Sequence, residues 1–321
     1  MNFGVEFGGQ RCRATQFERG YGQLEMRLAG ALQLSAETSI GLTPKQHGKD
    51  QPMAHSRPPA RVVTFLAPNM QPIYAYAIAY VSKALNIPMK LVVGDSYDAI
   101  AGADFCFICG LPYVLRTAPR LDPPPLVAIA APVLQGKRYQ NRPIYFSDVI
   151  VHRDSPFHSF ADLRGCSWAY NEPESQSGYG ITRYWLTSLG ETRGYFGAVI
   201  EAGFHQKAIR MVQDRSIDAA AIDSQVLAVE LRDHPALQTQ LRVVHTLGPS
   251  TIQPFAAASH IPASVRTEVQ GALLEMHRDP AAAEVLGRGF IDHFAAVADS
   301  DYDDIRAMLH ACEAADFLVL R

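Results

Sequence analysis

The chain has no apolar run long enough to span a bilayer, so it is not read as inserting directly into a membrane. It has no excess of basic residues: the formal net charge is -3, which argues against nucleic-acid binding, where a basic face is needed. Five cysteines are an odd number and exclude a complete disulfide framework. Three common catalytic signatures are missing: the G-x-S-x-G elbow, H-E-x-x-H and the Walker A loop. No basic, apolar and small-residue sequence of a secretory leader stands at the start, and the part read as folded shows neither an internal repeat nor a low-complexity tract.

What is present fits a two-lobed globular protein. The 321 residues are 48% hydrophobic and 19% charged, enough for two real cores and with no disordered bulk indicated. Residues 43–59 are rich in Pro, Gln, His and Lys and read as a linker, and Met53 just before the first strand is a candidate true start. From Arg61 onward, strand-like runs alternate with helical periodicity. Ile73, Tyr74, Ala77, Ile78 and Val81 share one helical face, and strands are predicted at residues 61–66, 89–93, 105–108, 126–130, 166–170 and 217–222. That alternation predicts α/β architecture with a largely parallel sheet. Cys106 and Cys109 form a C-x-x-C inside a strand-like run, where odd spacing points side chains to opposite faces; they read as two structural thiols, with a redox pair as the alternative.

The most informative stretch is Asn171-Glu172-Pro173-Glu174-Ser175-Gln176-Ser177-Gly178-Tyr179, placed where a strand turns into a helix. Ile181, Tyr184, Trp185 and Leu189 are spaced as one helical face, and Gly190 is a helix stop. The first amides of a helix lack intrahelical acceptors and carry partial positive charge. Serine hydroxyls beside them suit a tetrahedral oxyanion. Ser175 or Ser177 acting only as a helix cap is the plainer alternative.

This turn stands in a particular order with other segments: Ile108-Cys109-Gly110-Leu111-Pro112-Tyr113-Val114, Tyr145 through Val151, Phe160-Ala161-Asp162-Leu163-Arg164-Gly165, Ala202-Gly203-Phe204-His205 and Ile217 through Ser224. In that order and spacing the chain, from about Val62 to its C-terminus, resembles the phosphate/phosphonate-type substrate-binding proteins of ABC transporters, a branch of the type 2 periplasmic binding proteins. The resemblance implies two lobes joined by two crossing segments that form a hinge, with a ligand cleft between them. The expected division is an N-terminal extension over residues 1–60, a discontinuous first lobe of residues 61–145 and 246–321, and a second lobe of residues 146–245.

The resemblance also implies site roles. Ser175, Gln176, Ser177 and Gly178 match the family's oxyanion turn, with Gln176 standing where a threonine is common. His205 matches a ligand donor, and Tyr97 a first-lobe tyrosine that contacts ligand. Tyr113 is a candidate for a second first-lobe aromatic contact. Asn69, beyond the first strand, either donates to the cleft or caps the next helix. Asp223 accepts from a ligand or fixes His205. Gln253 stands on the return crossing where some relatives carry an acid for a ligand ammonium, which disfavours an aminoalkyl ligand. The expected function is capture of a phosphate, phosphite or phosphonate-class anion by a monomer that serves an ABC permease, without enzymatic chemistry, metal or cofactor. Periplasmic location follows from the resemblance, and a cytoplasmic one is the alternative because no export signal is seen. The alternatives of another class are a cytosolic ligand sensor, or an enzyme of the same bilobal fold acting on a small organic ligand such as a pyrimidine precursor. Ser177, His205 and Asp223 could also be drawn as a catalytic triad.

Overall fold

The computed structural model describes residues 58–117 and 125–320. Apart from residues 58–60, the expectations for the N-terminal extension, Met53 included, fall outside them.

Two sheets organise the described chain. The first has the order β11-β4-β10-β3-β1-β2, formed by β1 (Ala60–Thr64), β2 (Met89–Val93), β3 (Phe105–Phe107), β4 (Leu126–Leu134), β10 (Phe255–Ala258) and β11 (Ile291–Ala296). The second has the order β7-β6-β8-β5-β9, formed by β5 (Ile144–His152), β6 (Ser167–Tyr170), β7 (Ala198–Glu201), β8 (Ala219–Asp223) and β9 (Leu241–Thr251). Each sheet is mixed, not largely parallel as the alternation predicts, because β5 and β10, which follow the two passages of the chain between the sheets, run antiparallel to their neighbours. β1 runs parallel to β2 and β3, and β6 parallel to β7 and β8. β10 and β11 join β4 antiparallel, and β5 joins β8 and β9 antiparallel. The chain therefore passes from the first sheet to the second between β4 and β5, and returns between β9 and β10.

The periodicity that predicts the first helix holds: in α1 (Gln71–Leu85), Ile73, Tyr74, Ala77, Ile78 and Val81 are buried. They join Phe107, Phe255 and residues of α7 (Ala263–Glu275) and α8 (Pro280–Arg288) in one core. The second sheet has a core on each face. On one, Trp168 stacks on Phe196 with ring centroids 4.5 Å apart. On the other, Ala208, Ile209 and Val212 of α4 (His205–Gln213) pack on the alanine-rich β8. The small side chains of β8 let that helix sit close to the sheet. The C-terminal helix α9 (Asp303–Ala314) is followed by Phe317 and Leu320, which pack into the second sheet's core with Tyr179. Leu320 N–H donates to Tyr179 Oη at 3.1 Å, and Arg183 donates to Leu318 O at 2.8 Å.

Two local expectations are corrected. Helix α3 (Ile181–Ser188) buries Ile181, Thr182 and Leu186, while Leu189 lies after its end at 48% exposure. Ile181 and Trp185 do pack on the second core, and Leu189 does not because the helix ends at Ser188 with Leu189 as its C-cap. Cys109 is not part of a strand: β3 ends at Phe107, and Cys109 precedes α2 (Gly110–Arg116).

Candidate functional site

The turn after β6 is built from its own side chains. Ser175 is extended and its Oγ accepts from Gly178 N–H at 3.1 Å, which caps the π-helical turn. The capping alternative is therefore realised for Ser175. Ser177 does something else: its hydroxyl lies 2.8 Å from His205 Nε2 and 3.4 Å from Ser175 Oγ. His205 opens α4, and its Nδ1 is buried without a protein hydrogen bond. Burial alone pushes its pKa down to about 4, so the ring is neutral at neutral pH. A Cβ at Gly178 would collide with Asn171 Oδ1, itself buried and unpartnered, so that side chain would have to move.

The first sheet meets this turn through Cys109, which its sequence context marks as a structural thiol or half of a redox pair. Gln176 N–H points at Cys109 Sγ, 3.3 Å away. A thiol is a weak acceptor for an amide at a helix start. Burial pushes the Cys109 thiol up to about 11 and that of Cys106 up to about 12, so both stay protonated. Both are free, and Cys106 lies within the first core. Gln176's own amide leaves the turn, donating to Ser250 Oγ and Met308 Sδ at 3.2 Å each. Its greater length than threonine thus serves to tie the turn to β9 and α9.

Two phenols close the same region. Tyr74 and Tyr145 are each 1% exposed, and neither hydroxyl has a protein hydrogen bond of normal geometry. Burial raises both above the usual tyrosine range. The Cys109 and Asp223 charges would raise them further, while Gln253 beside Tyr74 and Ser177 beside Tyr145 act the other way. Asp223 caps α5 (Ser224–Asp233): its Oδ1 accepts from Gln225 N–H at 2.8 Å and Val226 N–H at 3.3 Å. Burial nevertheless raises its carboxyl to about 6, against those two amides and Gln253. It makes no hydrogen bond to His205, so the third link of a Ser-His-Asp relay is not formed. Gln253 donates to Gln225 Oε1 at 3.5 Å.

The remaining candidates are placed differently. Tyr97 donates to Glu172 Oε1 at 2.9 Å, and Arg116, whose guanidinium carbon lies 4.4 Å from the Tyr97 ring centroid, pairs with Glu174 at 2.6 Å. Glu172 and Glu174 belong to the informative stretch but attract no role from sequence alone. Burial raises the Glu172 carboxyl, and the Glu174 and Glu201 charges add to it, against the Tyr97 hydrogen bond. Asn69 does not cap α1, whose cap is Met70; it reaches Val226 O at 3.3 Å and Glu230 Oε1 at 3.2 Å on α5. Tyr113 is committed elsewhere, donating to Asp299 at 2.8 Å and accepting from Ala128 N–H at 3.2 Å. No group of His, Cys, Asp and Glu suited to a metal is found among the described residues.

Ser175, Ser177, His205, Tyr145 and Cys109 thus meet where the second sheet's carboxyl-end turn faces the first. Comparison with known proteins gives this arrangement its setting. A binding protein component of an ABC phosphonate transporter from Pseudomonas aeruginosa is 16% identical, with a TM-score of 0.69 over 81% of this chain and 88% of that one. PhnD1 from Prochlorococcus marinus, solved in complex with methylphosphonate, is 17% identical, with a TM-score of 0.68 over 79% of this chain and 98% of that one. An ancestral arginine-binding protein bound to arginine gives a TM-score of 0.51 at 14% identity, over 74% of this chain and 100% of that one. At these identities the likeness concerns the fold, which is that of the type 2 periplasmic binding proteins. The family model described as ABC transporter, phosphonate, periplasmic substrate-binding protein matches residues 62–302, and the chain belongs to that family.

Proposed function

We propose that this chain binds a small phosphorus oxyanion between its two sheets, of the class of phosphate, phosphite or a simple phosphonate. The observation that carries the reading is the buried cluster of Ser175, Ser177 and His205 at the start of the turn leading into α3. Hydroxyls, an imidazole and helix-start amides converge there without a lysine or arginine. Such a site neutralises a tetrahedral anion with dipoles. Gln176 N–H, now facing only a thiol, would pass to a ligand oxygen, the stronger acceptor. Ser177 would donate to a second oxygen, with the Nε2–H tautomer of His205 donating to that hydroxyl. Tyr97, at the first-sheet side, would act through Glu172 and closure. Asp223, Gln253 and Asn69 would line the far end. Gln253 is neutral where some relatives carry an acid for a ligand ammonium.

Delivery to an ABC permease from the periplasm completes the proposal, supported by family membership. Among the described residues, no helix is long and apolar enough to cross a membrane.

The test is calorimetric titration with methylphosphonate, phosphate, phosphite and sulfate. One phosphorus oxyanion is expected to bind, and Ser177→Ala is expected to weaken it by roughly 1.5–3 kcal/mol, the range for a hydrogen bond to a charged group. An unchanged Kd in Ser177→Ala would remove the turn from the site.

A further inference from the structure

Cys109 is more than a structural thiol. Its Sγ stands 3.3 Å from Gln176 N–H, and so touches the oxyanion turn from the opposite sheet. Its sulfur lies within electrostatic reach of both the Tyr74 and Tyr145 phenols, which are almost fully buried and unpartnered. Tyr74 comes from α1, Cys109 precedes α2, and Tyr145 lies on β5 beside Ser177, so groups from three separate elements act on one another near the turn. Unpartnered buried hydroxyls are disfavoured unless a bound group or water completes them. Cys106 cannot share the role, because it is in β3, paired in register with Val63 and Ala256 inside the core. The C-x-x-C is therefore two unrelated positions.

We propose that Cys109, flanked by Tyr74 and Tyr145, forms the wall against which the substituent of a bound phosphonate packs, and that this wall selects small substituents. The inference rests on the oxyanion reading of the turn. A ligand oxygen that takes Gln176 N–H displaces the thiol from that amide and leaves the sulfur against the phosphorus substituent. The thiol is compact, polarisable and neutral. The phenols offer hydroxyls but no charge. A methyl group or hydrogen fits such a wall, whereas a longer chain meets the sulfur.

The test uses the full chain and two readouts in one set of samples. Calorimetry gives the Kd of methylphosphonate and propylphosphonate for the wild type and for Cys109→Ala. N-ethylmaleimide labelling, followed by peptide mass spectrometry, gives the rate at Cys109 relative to the partly exposed Cys166, with and without methylphosphonate. The wild type is expected to favour methylphosphonate by about 10-fold or more, the discrimination that one or two methylenes provide in a close-fitting pocket. Cys109→Ala is expected to narrow that ratio by about threefold or more, by opening space for the longer chain. Methylphosphonate is expected to slow Cys109 labelling while Cys166 is unaffected. If methylphosphonate binds but both the ratio and the labelling rate stay unchanged, the proposed wall is wrong and the oxyanion reading stands. If no phosphonate binds to the wild type, both fall.

Discussion

His205 and Asp223 are buried ionisable groups whose pKa values are displaced in opposite senses by the same cause. Burial lowers His205 from 6.5 to about 4 and raises Asp223 from 3.8 to about 6. In the folded protein His205 resists protonation. Its contribution is complete above pH 6.5 and is lost as pH falls toward 4, by on the order of 3 kcal/mol. Asp223 resists ionisation. It carries no penalty below about pH 4, and its penalty grows as pH rises through 6, again to on the order of 3 kcal/mol. Over pH 4–6.5 the two largely offset one another. Asp223→Asn keeps the cap acceptor and removes the buried charge. It is expected to raise Tm at pH 7 and to expose a fall in Tm between pH 6.5 and 4 that the wild type lacks. Parallel Tm–pH profiles of the two proteins, measured by scanning calorimetry, would show that Asp223 is not held out of water as its burial indicates.

At the scale of elements, the informative unit is the turn from β6 into α3. The Ser-x-Ser-Gly pattern between a strand and a helix was legible because serine caps and a helix start leave a local signature. The buried face of α1 and the alanine-rich β8 were legible through periodicity and composition. The π-helical turn that precedes α3 was not, because such a turn leaves no composition signal. Glu172, Glu174, Tyr74, Tyr145 and Cys109 acquire meaning only when the two sheets meet, and no local pattern announces a partner some 70 residues away, as Gln176 is from Cys109. Gly178 shows how tight the turn is. Gly178→Ala would press a methyl on Asn171 Oδ1 and force that side chain to move. The expected loss is about 1–3 kcal/mol of unfolding free energy, the usual range for overpacking. Adding Asn171→Ala should recover more than half of it. A urea-melt double-mutant cycle measures the coupling, and strictly additive losses would place the strain elsewhere.

At the scale of the whole described molecule, a small set of polar bridges holds the first sheet's loops against the second sheet's. Tyr97 meets Glu172, Arg116 meets Glu174 while covering the Tyr97 ring, and Asn69 meets Glu230. Glu230 is in turn held by Arg210 at 3.0 Å within the second unit. Arg116 and Glu174 are partly exposed, so the pair contributes modestly, about 0–1 kcal/mol. Its importance is which arrangement it favours. Every one of these bonds joins the loops of the two sheets, and we propose that together they favour a closed arrangement over a more open one. A ligand that also needs closure gains from that bias, and the two effects are reciprocal. Arg116→Gln is expected to leave the urea-melt stability within about 1 kcal/mol of wild type. It should weaken methylphosphonate binding by up to about fivefold, the equivalent of losing that 1 kcal/mol from closure. The scattering radius of gyration should rise in the ligand-free sample and return to the wild-type value when ligand saturates the site. Glu174→Gln should reproduce all three results, and the double variant should add little, since each change breaks the same bridge. If affinity and radius are the same in all four proteins, the bridge is incidental to closure, and the bias must come from the turn's own contacts with Cys109.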